Sequence, residues 1–169
     1  MSRAGEPDVP ALHRLTDDDA MVLALDEARA GAFAGEIPIG AVVLDEDGVV
    51  IARAHNRREG AHDPTAHAEI LVLRAAAEVL GRWRLDGCTL VVTMEPCPMC
   101  AGAVVMSRVR RLVFGAWNGE YGAAGSRWDL VRDRRLNHRA EVIGGVRADE
   151  CGAMVSEFMS AQRPAPEER

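Results

Sequence analysis

The sequence predicts an α/β fold, a three-layer α/β/α domain around a central mixed sheet of about five strands, and three observations support it. Runs rich in β-branched residues alternate with runs of helical period, the pattern of a sheet covered on both faces. The first two strand runs are separated by a short acidic and glycine-containing turn, so they pair as an antiparallel hairpin, whereas the later strands suit crossover connections through helices. At 169 residues and 48% hydrophobic content, the chain can fill one core and is too short to promise two.

The elements follow in order. Thr16-Asp17-Asp18-Asp19 matches a capping box, and Met21, Val22, Leu25, Ala28, Ala32 and Phe33 repeat at helical spacing, which predicts a helix over 17–34. Ile39 to Leu44 and Val49 to Ala54 are strands joined by Asp45-Glu46-Asp47-Gly48. Asp63-Pro64-Thr65 reads as a helix start, and the apolar run from Ile70 to Leu80 stops at Gly81. Thr89 to Thr93 is a short strand that runs into Met94-Glu95-Pro96-Cys97, after which Pro98 opens another helix. Leu112 to Phe114 is a strand, and Gly115 to Gly125 carries four glycines and is a loop. Arg127 to Arg134 reads as a short helix, Glu141 to Gly145 as a strand, and Ala148 to Gln162 as a closing helix. Residues 1–15 and 163–169 are expected to be flexible tails.

Composition narrows the class. No run of about 18 apolar residues occurs, and the start carries acid and proline where a signal peptide needs an apolar stretch, so a cytoplasmic protein without a membrane partner is expected. Two of the four cysteines form a Cys-x-x-Cys pair, which favours reduced thiols over disulfides. The formal net charge is -6, but the signs are segregated. Eleven acids face Arg3, Arg14 and Arg29 in residues 1–50, whereas residues 108–139 hold eight arginines against Glu120, Asp129 and Asp133. Such a cluster permits phosphate binding and equally suits a solvated surface. No glycine-rich phosphate loop and no Gly-x-Ser-x-Gly elbow occurs.

The chemistry lies in His67-Ala68-Glu69 and, about thirty residues on, Pro96-Cys97-Pro98-Met99-Cys100. Placed at helix starts, His67, Cys97 and Cys100 can converge on one Zn²⁺, since a catalytic zinc keeps three protein ligands and leaves the fourth position to water. Two thiolates balance the ion's charge, the bound water becomes acidic, and Glu69 is left to carry protons. Two other readings remain open at this point: a closed site with Cys88 or Cys151 as fourth ligand, and a redox-active Cys-x-x-Cys. His55, His62 and His138 read as local hydrogen-bonding groups, and His13 lies in the N-terminal tail.

Together with Glu36 to Ala41, Asn56-Arg57, His62 to Ile70, Glu95 to Ala103, Phe114-Gly115-Ala116, Gly122 to Ser126 and Leu136 to Arg139, these motifs resemble the zinc-dependent cytidine-deaminase-like superfamily and, within it, the bacterial tRNA-specific adenosine deaminases. The resemblance covers about residues 16–162 and implies a single zinc-dependent deaminase domain of cytidine-deaminase-like fold, one Zn²⁺ per subunit and a homodimer. The implied reaction is hydrolytic conversion of adenosine to inosine at the wobble position of a tRNA anticodon, with arginine tRNA as the expected substrate and the arginines after Arg108 meeting its phosphates. In site terms it implies His67, Cys97 and Cys100 as metal ligands and Glu69 as the catalytic residue. Asn56 is implied to hold the target base or its ribose, Ile37 and Pro38 to wall the pocket, and Phe158 to contact neighbouring nucleotides. Ala68, Glu95 and Asn118 complete the implied substrate-binding set. Asn118 departs from the usual Asp and exchanges a pure acceptor for a group that also donates, which bears on discrimination between RNA and DNA. The rival readings are a small-molecule deaminase of guanine or cytosine with the same ligands, and a zinc-stabilised nucleic-acid binder with a fourth protein ligand.

Overall fold

A computed structural model describes residues 14–162; the expected tails fall almost wholly outside them, His13 included. Helix α1 (Asp17–Phe33) opens on the expected capping box: Asp19 N–H donates to Thr16 Oγ1 at 3.1 Å, and Thr16 N–H donates back to the Asp19 carboxylate at 3.0 Å. Strands β1 (Gly40–Leu44) and β2 (Val50–His55) form the antiparallel hairpin. Its turn is tied by the Asp45 carboxylate, which accepts from the N–H groups of Asp47 and Val49, and Gly48 supplies the positive φ of 82°.

The second apolar helix starts later than expected. Asp63-Pro64-Thr65 is a turn in which the Asp63 carboxylate accepts from both N–H and hydroxyl of Thr65, and helix α3 (Ala68–Leu80) begins only after it. A short helix α2 (Arg58–Ala61), absent from the sequence reading, precedes that turn; the buried Glu36 carboxylate accepts from its Glu59 and Gly60 N–H groups. Strand β3 (Thr89–Met94) leads to α4 (Pro98–Met106), then come β4 (Arg111–Ala116), β5 (Glu141–Gly144) and α5 (Ala148–Ala161).

The strands form one sheet in the order β2-β1-β3-β4-β5. Pairing is antiparallel between β2 and β1 and between β1 and β3, and parallel from β3 through β4 to β5. Side-chain alternation then splits the core in two. Val42, Val91 and Val113 pack under α1 with Cys151 of α5, while Val43, Leu90, Val92, Leu112 and Phe114 pack under α3 and α4. The expected three layers are thus present, with a mixed five-stranded sheet at the centre. Gly40 marks how closely the layers approach, since a β-carbon there would overlap the Ala24 carbonyl of α1.

One expectation is overturned. Residues 127–134 are not a helix, and the β4 to β5 connection is a folded loop instead of a helical crossover. Its backbone turns back on itself: Arg127 and Trp128 N–H groups donate to the Gly122 carbonyl, Leu130 N–H donates to Ala123, and Ala124 bridges Asp129. Buried Ala123, Ala124 and Val131 seal this loop onto the core, so tertiary burial overrides the local helical pattern.

Candidate active site

The C-terminal end of β3 and the starts of α3 and α4 bring the chemistry together. His67 is the N-cap of α3 and Cys97 the N-cap of α4, both with extended backbone, and Cys100 lies in the first turn of α4 behind Pro98. His67 Nδ1 is 3.8 Å from Cys97 Sγ and 3.5 Å from Cys100 Sγ, and all three donor atoms lie within 4.8 Å of one another. Donors held about 2.0–2.3 Å from one tetrahedral zinc lie roughly 3.3–3.8 Å apart, so both distances from His67 already have the spacing that zinc requires. Cys88 and Cys151 do not join the group: Cys88 lies before the opposite end of β3, and Cys151 is buried on α5 against Gly115. Among the described residues the cluster therefore has three members, which favours the open site over the closed one.

Protonation follows the same geometry. Hydrogen bonding from Cys100 and contact with His67 draw the Cys97 thiol down to about 4, whereas the hydrogen bond with Cys97 and burial push Cys100 up. The partnership with Cys97 raises His67. Glu69, at the second position of α3, is only 4% exposed, and burial pushes its carboxyl up to about 7. Its Oε2 has no hydrogen-bond partner among the described residues. An orphaned carboxylate oxygen is costly to bury and indicates a missing ligand beside it.

These groups open into a cleft of about 230 Å³ lined by Ile39, Met94, Glu95, Asn118 and Tyr121 as well as His67, Glu69 and Cys97. A family model described as the cytidine and deoxycytidylate deaminase zinc-binding region matches residues 15–116. The chain belongs to that deaminase family. It is 50% identical over 150 residues to the tRNA-specific adenosine deaminase of Bacillus subtilis, a match spanning 88% of this chain and 92% of the relative. A solved structure from work on A-to-I editing by tRNA deaminases at the wobble position superposes with a TM-score of 0.77 at 44% identity, covering 80% of this chain and 97% of that one. A guanine deaminase from Nitrosomonas europaea superposes with a TM-score of 0.76 at 28% identity, covering 95% and 98% of the two chains. Among the described residues, His67, Cys97 and Cys100 are the group that could hold the zinc of this family.

The remaining residues expected to touch substrate divide between two places. Glu95 and Asn118 line the deaminase cleft, while Ile37, Asn56 and Phe158 line a neighbouring pocket of about 300 Å³ with Glu36, Arg58 and Gln162. Asn56 is buried, and its Oδ1 accepts from the Ala68 N–H at 2.9 Å, so it also holds the first turn of α3. Ala68 is wholly buried and its N–H is engaged in that bond; Pro38 is buried between α1 and β1 and lines neither pocket.

Glu95 has a role the sequence did not disclose. Its carboxylate accepts from the N–H groups of Asn118, Ala124 and Ser126 at 2.9, 3.1 and 2.9 Å and from the Ser126 hydroxyl, pinning the loop that closes the deaminase cleft. Asn118 Oδ1 accepts in turn from Glu120 and Tyr121 N–H groups. Ile39, Met94 and Tyr121 were missed as cleft residues, and only an aromatic residue within a glycine-rich loop could have hinted at Tyr121. Of the other histidines, His55 meets the Glu27 carboxylate at 3.2 Å and His138 the Val109 carbonyl at 2.7 Å, hydrogen-bonding partners 28 and 29 residues away in sequence.

Proposed function

We propose that this protein hydrolyses adenosine to inosine at the wobble position of a tRNA anticodon, within a single deaminase domain spanning residues 16–162. The buried, unpartnered Glu69 Oε2 beside a three-donor metal group carries the reaction class. Identity of 50% over most of the chain to a tRNA-specific adenosine deaminase supports the substrate.

His67, Cys97 and Cys100 would hold the zinc, which when bound would make a water acidic enough to ionise near neutral pH. Glu69, whose carboxyl burial raises, lies beside that group and would accept a proton of the water and deliver it to N1 of the adenine. With the water oxygen bonded to C6, Glu69 would take the remaining proton of that oxygen and pass it to the amino group as the C6–N bond breaks, so that water and adenosine yield inosine and ammonia. Burial keeps the carboxylate away from bulk water and preserves this basicity.

Asn56 commits its Oδ1 to α3, so what it offers the base or ribose is its amide N–H₂. Ile37 and Phe158, in the pocket beside the cleft, meet adjacent nucleotides, with Pro38 backing that wall. Glu95 lines the cleft, and Ala68, buried between His67 and Glu69, serves through the N–H that ties Asn56 to α3. Asn118, its Oδ1 held by the backbone, presents an N–H₂ where an Asp would present an acceptor.

The substrate is an arginine tRNA, and the site of action is the cytoplasm. No helix among the described residues is long and apolar enough to cross a membrane. The working unit is a homodimer. Its supporting observation is an apolar groove between α3 and α4, lined by Ile70, Leu73, Ala77 and Ala103, in which Trp83 and Met106 are 63% and 64% exposed.

The test is zinc-loaded protein with an arginine tRNA anticodon stem-loop, a DNA hairpin of the same sequence, and free guanine. Inosine in the RNA is expected. Ammonia released from guanine with none from the stem-loop would replace this reading with the free-base one. Asn118→Asp should change the ratio of RNA to DNA turnover, and light scattering should report a dimer that Met106→Glu weakens.

A further inference from the structure

The loop after β4 gathers exposed aromatic residues in an aromatic-poor chain. Trp117, Tyr121 and Trp128 stand exposed within twelve positions, although the whole sequence has only three Trp, one Tyr and three Phe. Of these, Tyr121 alone lines the cleft that contains His67 and Glu69. It is 61% exposed, so most of the ring stands at the rim, while Glu69 lies on the buried floor.

The ring is also held from behind. Tyr121 N–H donates to Asn118 Oδ1 at 3.0 Å, and Gly122 N–H donates to the Asn118 carbonyl at 2.8 Å. Gly122 packs so closely on the Glu95 carboxylate that a β-carbon would overlap it, and Glu95 binds the loop on both sides of that point. An exposed ring on a pinned backbone loses little freedom when it meets a ligand. Unstacked bases of single-stranded loops are recognised by such aromatic faces, and every base has a π-face to offer.

We propose that Tyr121 stacks on the nucleobase adjacent to the target adenine and is a substrate-positioning residue of the site. The target base must reach the floor to meet Glu69, which leaves a rim ring to the base beside it. The assignment rests on the reading of the substrate as a single-stranded RNA loop.

The experiment compares zinc-loaded wild type, Tyr121→Ala, Tyr121→Phe and Tyr121→Trp on the anticodon stem-loop, and repeats wild type and Tyr121→Ala on stem-loops made abasic on either side of the target. Stacking predicts that Tyr121→Ala raises KM by roughly 5- to 100-fold with kcat at saturation little changed. It also predicts that Phe and Trp preserve the wild-type KM, because they keep the ring and not the hydroxyl. At one of the two abasic positions the Ala effect should vanish. An unchanged KM in Tyr121→Ala, an equal loss in Tyr121→Phe, a loss confined to kcat, or an Ala effect that survives both abasic substitutions would overturn the assignment while leaving the substrate reading intact. Wild type that forms no inosine in the intact stem-loop would remove the substrate reading and this assignment with it. Zinc content and melting temperature serve as folding controls, since an exposed ring contributes little to either.

Discussion

Two buried glutamates sit within one cleft and do opposite things. Glu95 has both carboxylate oxygens satisfied by four donors, whereas Glu69 keeps one oxygen without a partner. The contrast predicts opposite consequences of mutation. Glu69→Gln should keep its zinc, measured by elemental analysis, and lose roughly 10²- to 10⁴-fold in turnover, because only proton carriage is removed. Glu95→Ala strips partners from several donors and should destabilise the fold by about 3 kcal/mol in urea unfolding, with activity falling because the cleft loop loosens. If Glu95→Ala unfolds at the wild-type urea midpoint, the hydrogen-bond reading of that residue is wrong. The His-x-Glu motif names Glu69 as the proton carrier, whereas the expected substrate-binding role of Glu95 gives no sign that its carboxylate is taken up by donors 23 to 31 residues away.

At the scale of elements, local signals were reliable where the deciding contact is local. The Thr16 capping box and the Asp45 to Gly48 turn complete their hydrogen bonds within a few residues, and both form as read. Thr16→Ala should accordingly cost about 1 kcal/mol by denaturant titration. The zinc donors were legible for a related reason, because N-cap positions and a proline at the start of α4 dictate where three side chains point. Residues 127–134 failed because burial decides them: the segment folds back on Gly122 and Ala123 as Ala123, Ala124 and Val131 are sealed into the core, and no periodicity records that. Helix α2 escaped similarly, being four residues long and held by Glu36. Contact between layers is likewise invisible in sequence. Gly40→Ala would drive α1 away from β1 and should cost roughly 1–3 kcal/mol, read from the unfolding midpoint.

Across the whole molecule, the arginine-rich segment 108–139 is less free than its sequence suggests. Arg111 is bound by Asp17 at 2.5 Å, Arg132 by Asp129 at 2.8 Å and Arg135 by Asp133 at 2.6 Å. Arg108, Arg110, Arg127, Arg134 and Arg139 form no salt bridge among the described residues and remain available to phosphates. Binding of the stem-loop should weaken linearly in log salt, and each of these arginines that touches a phosphate should lower the slope by about 0.7 when changed to Ala. Arg132→Ala should leave that slope unaltered; a fall there equal to that of Arg127→Ala would contradict the division. The metal donors lie on two helix starts separated by about thirty residues, so they also join parts of the chain that are far apart before folding. Zinc that binds the folded three-donor group more tightly than the unfolded chain makes the strength of the whole fold, by mass action, a function of the surrounding metal. Above the dissociation constant, each tenfold rise in free zinc adds up to about 1.4 kcal/mol, the full amount where the unfolded chain binds none. In metal buffers the melting temperature should climb steadily with the logarithm of free zinc, making folded abundance a record of how well the surroundings supply the ion.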